Sequence, residues 1–377
     1  MADRFRDACL QIVENRNTID GRFSKVRRLG ATGGIGCFSL LFSAVDNSSG
    51  RKVALKFYRP DKMGESYRWE SFQREARILE GLAGQGDIVE WVAPLASFVE
   101  TASVSGVPFP ISFSYYAMEL AVSDLETALA SANWTPASLL SAFRCMCRAV
   151  QRVHTRRIAH RDIKPGNFLL LEEGGVKLSD FGTARQFDAV TRPLATGYTS
   201  PPGDLLYAAP ETLAGLLDVD SELAFVADFF ALGAILFEMF SGTKLGHHLA
   251  GQRLHDNLCL FGNVKPAQRQ FVYDQVVNSI ADGYPLPAMA AQGPGVPPCI
   301  RDRVDDLYRC LAALNYHKRL TDFQTIFRRI DTCLLILRYE EKFRRWREQK
   351  ERFREAREAK RKRLATALST KLNGVLK

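Results

Sequence analysis

Cysteine patterns typical of metal sites or disulfide frameworks are missing from this chain of 377 residues. Its eight cysteines are scattered, with no C-x-x-C pair and no Cys/His cluster. This absence excludes a zinc finger and a disulfide framework of the secreted type. Because free thiols persist in a reducing compartment, we expect a cytoplasmic protein.

Segments that direct a protein into a membrane are also missing from the pattern. Residues 1–16 are charged throughout and contain no apolar core of the kind found in signal peptides. The most apolar long stretch, 223–240, includes Asp228 and Glu238, which predicts a buried helix and no transmembrane segment. No repeat of roughly 20–50 residues is visible, which excludes solenoids and propellers.

Most of the chain carries no net charge. The formal net charge of +9 comes entirely from residues 338–377, which hold 15 Lys or Arg and 6 Glu. The rest of the chain is balanced, which excludes a generally cationic nucleic-acid-binding domain. We therefore treat 338–377 as a separate basic tail.

The remaining residues change from strand patterns to helix patterns along the chain. Short β-rich runs bounded by turn residues fall at 22–29, 38–45 and 52–57, and a hairpin at 95–120 has its connection at 101–110. Apolar residues at helical spacing predict helices at 69–82, 124–131, 136–157, 222–241, 266–281, 302–314 and 322–337. This order predicts an α+β fold with a helical extension at 1–21, a β-rich N-lobe at 22–118, a hinge at 119–123, a larger helical C-lobe at 124–337 and a basic helical tail at 338–377.

The strongest chemical signal is the sequence HRDIKPGN, which begins at His160 and is followed by a DFG tripeptide. Phosphoryl transfer needs a carboxylate to orient the attacking hydroxyl and metal ions to neutralise the phosphates. Asp162 can orient the hydroxyl, and Lys164 can neutralise charge on the transferring group. Asn167 and Asp180 offer hard oxygen ligands that suit Mg²⁺. These residues therefore predict a phosphotransferase.

At these motifs the chain resembles the eukaryotic-type serine/threonine protein kinase family, over residues 23–337. The resemblance implies the bilobal protein kinase fold, ATP between the lobes, Mg²⁺ on its phosphates and a protein substrate. Lys164 is typical of serine/threonine rather than tyrosine kinases. A small-molecule kinase is disfavoured, because such enzymes usually lack the complete activation segment that ends here in APE at 209–211.

The resemblance assigns the phosphate-binding residues one by one. Lys56, in the sequence VALK, matches the strand lysine that holds the α- and β-phosphates of ATP. Glu75 matches the helix glutamate that pairs with this lysine. The Gly-rich loop over the phosphates corresponds to Gly34, Gly36 and Ser39, with the serine in place of a third glycine.

The adenine pocket is assigned in the same way. Met118 corresponds to the gatekeeper, and the backbone groups of Glu119 and Ala121 correspond to the hinge groups that bind adenine. The resemblance implies that the adenine ring lies between three apolar side chains, those of Leu41, Ala54 and Leu169.

Further positions match the scaffold of the family, with one departure. Glu211 of the APE sequence is expected to pair with Arg319, and Asp228 to hold the backbone of the catalytic loop. The departure is Asp204, which stands where the family has a threonine that bonds the catalytic aspartate and lysine. An aspartate there can accept from Lys164, but it places a second negative charge near the catalytic site, which bears on substrate docking.

Regulation through the activation segment is a further implication. Arg161, which precedes the catalytic aspartate, can pair with a phosphate group bidentately. The candidate phosphorylation sites are Thr196, Thr199 and Ser200, near the position of the family's primary site.

The tail has three open interpretations. Residues 338–363 favour a helix and contain Glu-to-base pairs at i,i+4. This helix can be a solvated continuation of the last domain helix, a coiled-coil or partner-docking segment, or a contact with nucleic acid or an anionic membrane through 360–363. The alternative to a working kinase is a catalytically weak, kinase-like scaffold that binds partners through this basic helix.

Overall fold

Two lobes meet at a short connection near residue 120. The computed structural model describes residues 2–29, 39–60, 66–104, 107–131, 133–172, 174–187, 203–217, 221–289 and 295–375. Strands dominate the described residues up to 119, and helices dominate those that follow. The predicted α+β architecture with two lobes is therefore confirmed.

The N-lobe contains a sheet of six strands in the spatial order β1-β2-β3-β4-β6-β5, and all neighbouring strands are antiparallel. The strands are β1 Thr18–Ile19, β2 Phe23–Arg28, β3 Ser39–Asp46, β4 Lys52–Tyr58, β5 Trp91–Val104 and β6 Val107–Glu119. Helix α2, Ser66–Gly81, lies between β4 and β5 in the chain. The predicted helix at 69–82 is confirmed.

Strand β4 is buried on both faces, and this placement sets the position of the predicted ATP lysine. Alternate residues of a strand point to opposite faces. Leu55 and Phe57 enter an apolar cluster with helix α1, Ala2–Glu14. Ala54 and Tyr58 enter the cluster that includes α2. The intervening Lys56 therefore points towards α2 and the space between the lobes.

The segment before residue 22 is part of this packing. Leu10 and Val13 of α1 are fully buried in a cluster with Phe42 of β3. Strand β1 pairs with β2 through Ile19 and Phe23. The region expected as a helical extension therefore contains a helix and a short strand that both contribute to the N-lobe core.

The connection of the β5–β6 hairpin is shorter than the sequence suggests. The prediction of a connection at 101–110 is wrong, because strand pairing continues from Thr101↔Pro110 to Val104↔Val107. Proline can occupy a strand where its missing N–H would point away from the partner. Pro108 and Pro110 are two residues apart, so both lack the N–H on the same edge of β6. Residues 107–114 of β6, which include both prolines, have no pairing with β4.

Short strands after the hinge position the two motifs of the predicted catalytic centre. Strands β7 Ser123–Asp124, β9 Phe168–Leu170 and β10 Val176–Leu178 form a three-stranded sheet in the order β10-β9-β7. Strand β8, Ile158–Ala159, pairs with β11, Arg185–Gln186. The HRD sequence follows β8, and the DFG sequence follows β10. Nε2 of His160 lies 3.0 Å from the backbone oxygen of Ser179, so the two motifs begin side by side.

The C-lobe is built from helices. They are α3 Leu125–Ser131, α4 Pro136–Thr155, α5 Pro210–Leu213, α6 Ser221–Ser241, α7 Leu245–Gly251, α8 Leu254–Cys259, α9 Pro266–Gly283, α10 Arg301–Leu311 and α11 Phe323–Arg338. All six helices predicted between 124 and 337 are present, and the short helices α5, α7 and α8 are additional. Their packing buries one large apolar cluster.

Helix α6 is the centre of this lobe. Within the described residues it is the one helix whose length and composition would permit a membrane span, at Glu222–Ser241. In the structure 89% of its most apolar stretch is buried. Residues such as Leu232, Ile235 and Leu236 are fully buried, so its apolar surface is used in protein packing.

A last helix, α12, spans Glu340–Val375. Tyr339 separates it from α11. Residues 345–363 are exposed along their whole length. Near its start, Arg347 donates to the backbone oxygen of Cys299 at 3.5 Å.

Candidate active site

Three charged side chains meet between the lobes. Nζ of Lys56 donates to Oε1 of Glu75 at 2.6 Å and to Oδ1 of Asp180 at 3.2 Å. The lysine comes from β4, the glutamate from α2 and the aspartate from the DFG sequence. This contact therefore joins helix α2, the N-lobe sheet and the start of the activation segment.

The charges in this trio support the arrangement. Burial alone would lower the pKa of Lys56, but the carboxylates of Asp180 and Glu75 outweigh it and raise the pKa. Burial would raise the pKa of Asp180, but the charge of Lys56 outweighs it and lowers the pKa. For Glu75 burial dominates, and its pKa is raised. Lys56 and Asp180 are therefore both ionised near neutral pH.

The residues of the catalytic loop converge on Asp162. Nζ of Lys164 lies 3.0 Å from its Oδ2. Nδ2 of Asn167 donates to the backbone oxygen of Asp162 at 2.7 Å and to its Oδ2 at 3.2 Å. The sequence-predicted catalytic residues Asp162, Lys164 and Asn167 are thus brought together.

The departure at Asp204 has a different consequence from the one expected. Its backbone N–H donates to Oδ1 of Asp162 at 2.9 Å. Its own carboxylate accepts from the N–H of Leu206 at 3.0 Å. The main chain therefore holds the catalytic aspartate, and the Asp204 side chain stabilises its own turn. Its negative charge also helps to raise the pKa of Lys164, where burial opposes it and Asp162 contributes most to the rise.

The close approach at this point requires a glycine. Gly203 has a φ of +87°, and a Cβ there would lie 2.6 Å from the backbone oxygen of Arg161 and 3.1 Å from Oδ1 of Asp162. A side chain would collide with the catalytic loop. The sequence prediction missed this requirement for glycine at 203, although its place beside Asp204 was a signal.

Asp228 holds the backbone of the catalytic loop, as the sequence predicts. Its two carboxylate oxygens accept from the N–H groups of His160 and Arg161, each at 2.9 Å. Nε2 of His154 lies 2.9 Å from the same carboxylate. Arg161 has a φ of 68°, so these bonds fix a left-handed residue immediately before Asp162.

The DFG sequence is bound directly to helix α2. Asp180 has a φ of 60°, and Phe181 is fully buried with its ring against His160. The carbonyl oxygen of Gly182 accepts from Nη2 of Arg74 at 2.6 Å and from the hydroxyl of Ser71. The sequence prediction missed both contacts, because nothing in the local pattern of α2 identifies a partner more than 100 residues away.

The hinge region has the expected apolar walls and an unexpected ion pair. Ala54 and Met118 are neighbours in the β4–β6 ladder and belong to one apolar cluster. The side chain of Glu119 accepts from Nζ of Lys177 at 2.7 Å and from the N–H of Glu90 at 2.6 Å. These contacts fix the end of β6, where the backbone groups predicted to bind adenine lie.

The other predicted ATP-site residues divide into two groups. Leu41 and Leu169 are half-buried and pack against the cluster that contains Ala54, and Ala121 is half-buried in the connection after β6. Ser39 is buried at the start of β3, where it pairs with Tyr58. Positions outside the described residues are Gly34, Gly36, Thr196, Thr199 and Ser200.

The end of the activation segment is anchored by a buried ion pair. Glu211 and Arg319 have no exposed side-chain surface. Nη2 of the arginine donates to Oε2 of the glutamate at 3.1 Å, and Nη1 donates to Oε1. Arg319 also donates to the backbone oxygens of Ala313 and Val226. The predicted pairing is confirmed.

This geometry agrees with the comparison of the chain with known families. The family model described as the protein kinase domain matches residues 27–330. The chain belongs to the protein kinase family. The predicted family and the bilobal kinase fold are therefore confirmed.

Named relatives of this kinase are serine/threonine-protein kinase PknA of Mycobacterium tuberculosis and cyclin-dependent kinase 9 of Danio rerio. The first is 32% identical over 231 residues, which are 60% of this chain and 48% of the relative. The second is 28% identical over 225 residues, which are 59% of this chain and 58% of the relative. The chain thus aligns with about half the length of these relatives.

The donor set of the kinase fits a divalent cation such as Mg²⁺. Asp180 supplies a carboxylate whose pKa lies below its usual range. The amide nitrogen of Asn167 donates to Asp162, so its amide oxygen is the atom left for a metal. Carboxylate and amide oxygens are the hard ligands that Mg²⁺ prefers.

Proposed function

We propose that this kinase is an ATP- and Mg²⁺-dependent serine/threonine protein kinase that transfers the γ-phosphoryl group of ATP to hydroxyls of protein substrates. The observation that carries the proposal is the double contact of Lys56 with Glu75 and Asp180. This contact joins Lys56, the residue that we propose binds the phosphates, to Asp180, the residue that we propose binds the metal. The names of the relatives support the serine/threonine class.

The catalytic loop supports the transfer step. A carboxylate at Asp162 orients the attacking hydroxyl and accepts its proton, while Lys164 offsets negative charge that develops on the transferring group. Asn167 and the N–H of Asp204 hold the Asp162 carboxylate and backbone in place. Asp180 and Asn167 would hold Mg²⁺, which would supply positive charge to offset the phosphates. Preorganisation of these groups lowers the cost of reaching the transition state.

The scaffold alternative receives no comparable support. A protein that acts by partner binding alone has no need for Lys56, Glu75 and Asp180 to be hydrogen-bonded, or for Asp162 to be held by three donors.

Seven of the eight cysteines lie within the described residues and are free, which favours a reducing cytoplasm as the place of the reaction.

Control through the activation segment is part of the proposal. Arg161 is buried and fixed by Asp228 beside the catalytic aspartate, where a phosphate on the activation segment can reach it. Thr196, Thr199 and Ser200 are the candidate acceptors. Mass spectrometry of the active enzyme tests this control, and full activity with all three residues unmodified would contradict it.

Phosphate transfer to a generic serine/threonine peptide tests the activity. We expect Lys56→Met, Asp162→Asn and Asp180→Ala to lower kcat by at least about a hundredfold, or about 2.7 kcal/mol. Lys52→Met is the matched control, because Lys52 lies on the same strand and is exposed. Transfer by Asp180→Ala at the wild-type rate would show that the proposed function is wrong.

A further inference from the structure

Helix α12 confines its glutamates to one face, whereas its cations lie all round the helix. An α-helix turns by about 100° per residue, so residues three and four apart share a face. One such face, which we call the basic-aromatic stripe, runs through Lys342, Trp346, Lys350, Phe353, Arg357 and Lys360. A second, mainly acidic stripe runs through Glu340, Glu348, Glu351, Glu355 and Glu358. Arg344 and Lys362 also lie in it, and Lys362 pairs with Glu358 at 3.7 Å, so the net negative charge of this face is reduced, whereas the basic-aromatic stripe holds no acidic residue. The two stripes lie on nearly opposite sides of the helix, each within an arc of about 80°.

The basic-aromatic stripe is accessible along its length. The side chains of Trp346 and Phe353 are 54% and 70% exposed, which is high for large apolar residues. Nζ of Lys350 lies over the Trp346 ring, 4.9 Å from its centroid. Arg347, which lies outside both stripes, fixes the start of the helix through Cys299.

We propose that the basic-aromatic stripe binds the surface of a membrane that contains anionic lipids. Cations and aromatic rings on one face of a helix, with acidic groups on the other, are the arrangement of a helix that lies in the plane of a membrane interface. The cations meet anionic headgroups, and the rings enter the boundary between headgroups and acyl chains. The glutamates then face water, away from the negative surface.

The shape of the stripe favours a flat surface over other partners. It is straight and about 27 Å long, because its ends are 18 residues apart at 1.5 Å per residue. A coiled-coil seam needs apolar residues at successive core positions, and Lys350 and Arg357 interrupt it here. The two rings are about 10.5 Å apart along the axis, whereas stacked bases repeat at about 3.4 Å.

Sedimentation of the full chain with vesicles tests the proposal. We expect binding to vesicles of phosphatidylcholine and phosphatidylserine at a ratio of about 7:3, and no binding to phosphatidylcholine alone. The triple variant Lys350→Glu, Arg357→Glu, Lys360→Glu should bind at least about tenfold more weakly. Binding should also weaken as salt rises, because screening shortens to about 8 Å at physiological ionic strength.

A matched variant separates the stripe from net charge. Reversal of Arg345, Arg352 and Arg363 changes the charge equally but lies outside the stripe, and it should weaken binding by less than about threefold. Trp346→Ala with Phe353→Ala should weaken it by about tenfold at unchanged charge. Circular dichroism checks that each variant keeps its helix.

Three outcomes would overturn the proposal. The first is equal loss of vesicle binding by the two triple variants. The second is no loss with the aromatic double variant. The third is binding of single-stranded RNA, or self-association of the chain, without binding to anionic vesicles. Peptide phosphorylation by the same variants should stay within about twofold of wild type, so this test and that of the kinase activity fail independently.

Discussion

The backbone N–H of Asp204 donates to Oδ1 of Asp162, the predicted catalytic residue, at 2.9 Å. The main chain thus supplies at this point a hydrogen bond that the family resemblance assigns to a threonine side chain. Since every residue except proline has this N–H, the contact tolerates most changes of side chain at 204 but depends on the path of the backbone through Gly203.

Substitutions at 203 and 204 should therefore differ in their effect. Asp204→Ala keeps the N–H and loses the bond to Leu206, so kcat should fall by less than about fivefold. Gly203→Ala forces a Cβ to within 2.6 Å of the Arg161 oxygen at a φ of +87°, and kcat should fall by at least about tenfold. Steady-state kinetics with one peptide substrate measures both. A larger loss in Asp204→Ala would assign the role to the side chain.

The sequence was sufficient where chemistry depends on a residue type at a fixed spacing. Lys56, Glu75 and Asp180 were predicted as site residues and are in contact with one another, as are Asp162 and Asn167. Their roles in the reaction stay predictions. The role of the Asp204 backbone could not be predicted, since a residue's identity says nothing about where its N–H points.

The sequence also did not predict contacts between elements that are far apart in the chain. The Ser71 and Arg74 contacts with Gly182 and the Glu119–Lys177 pair depend on how helices and strands pack, and local periodicity carries no information about such partners. The β5–β6 connection was predicted too long because Pro108 suggested a loop. On an unpaired edge the missing N–H costs little, so proline was tolerated in the strand.

The link between helix α2 and the DFG sequence should control the rate of catalysis. Arg74→Ala removes a charge-assisted hydrogen bond of about 1.5–3 kcal/mol to Gly182, which corresponds to a fall in kcat of about tenfold or more. The Kd of nucleotide should change much less, because Arg74 positions the motif without belonging to the predicted nucleotide site. Arg77→Ala is the control, since Arg77 is exposed and donates to Gln73 of its own helix. Equal kcat values for the two variants would exclude the link.

Glu75 should set the acidic limit of activity. Burial raises its pKa above the usual 4.5, so the folded state binds the proton more tightly than the unfolded chain. The contribution of this group to stability therefore rises as pH falls through the folded pKa, while its ion pair with Lys56 is lost. We expect kcat to fall at a pH above 4.5 while the protein stays folded by circular dichroism.

Two glutamine variants test this assignment. Glu75→Gln should have low activity, and its kcat should no longer fall at acidic pH, because the titrating group is gone. We call this fall the acidic limb of the pH profile. Glu70→Gln, at an exposed position of the same helix, should keep the limb. An unchanged limb in Glu75→Gln would assign the titration to another group.

Loss of the buried Glu211–Arg319 pair should affect stability. Arg319→Met leaves the Glu211 carboxylate uncompensated within the core, which should lower the free energy of unfolding by about 3–5 kcal/mol. Arg329→Met breaks the exposed pair with Asp306 and should cost less than about 1 kcal/mol. Urea denaturation of both variants measures the difference. A similarly small loss of stability in both variants would mean that the Glu211 carboxylate is not left uncompensated when Arg319 is replaced.

Removal of residues 340–377 should separate the tail from the fold. Residues 345–363 are exposed, so the C-lobe loses little packing when α12 is deleted. We expect the melting temperature to change by less than about 2 °C and peptide phosphorylation to persist. Ile336→Asp, at a buried position of α11, is the control that must lower the melting temperature strongly. A comparable drop on deletion would show that α12 belongs to the folded C-lobe, because the helix would then be packing against the lobe through contacts that its exposure does not suggest.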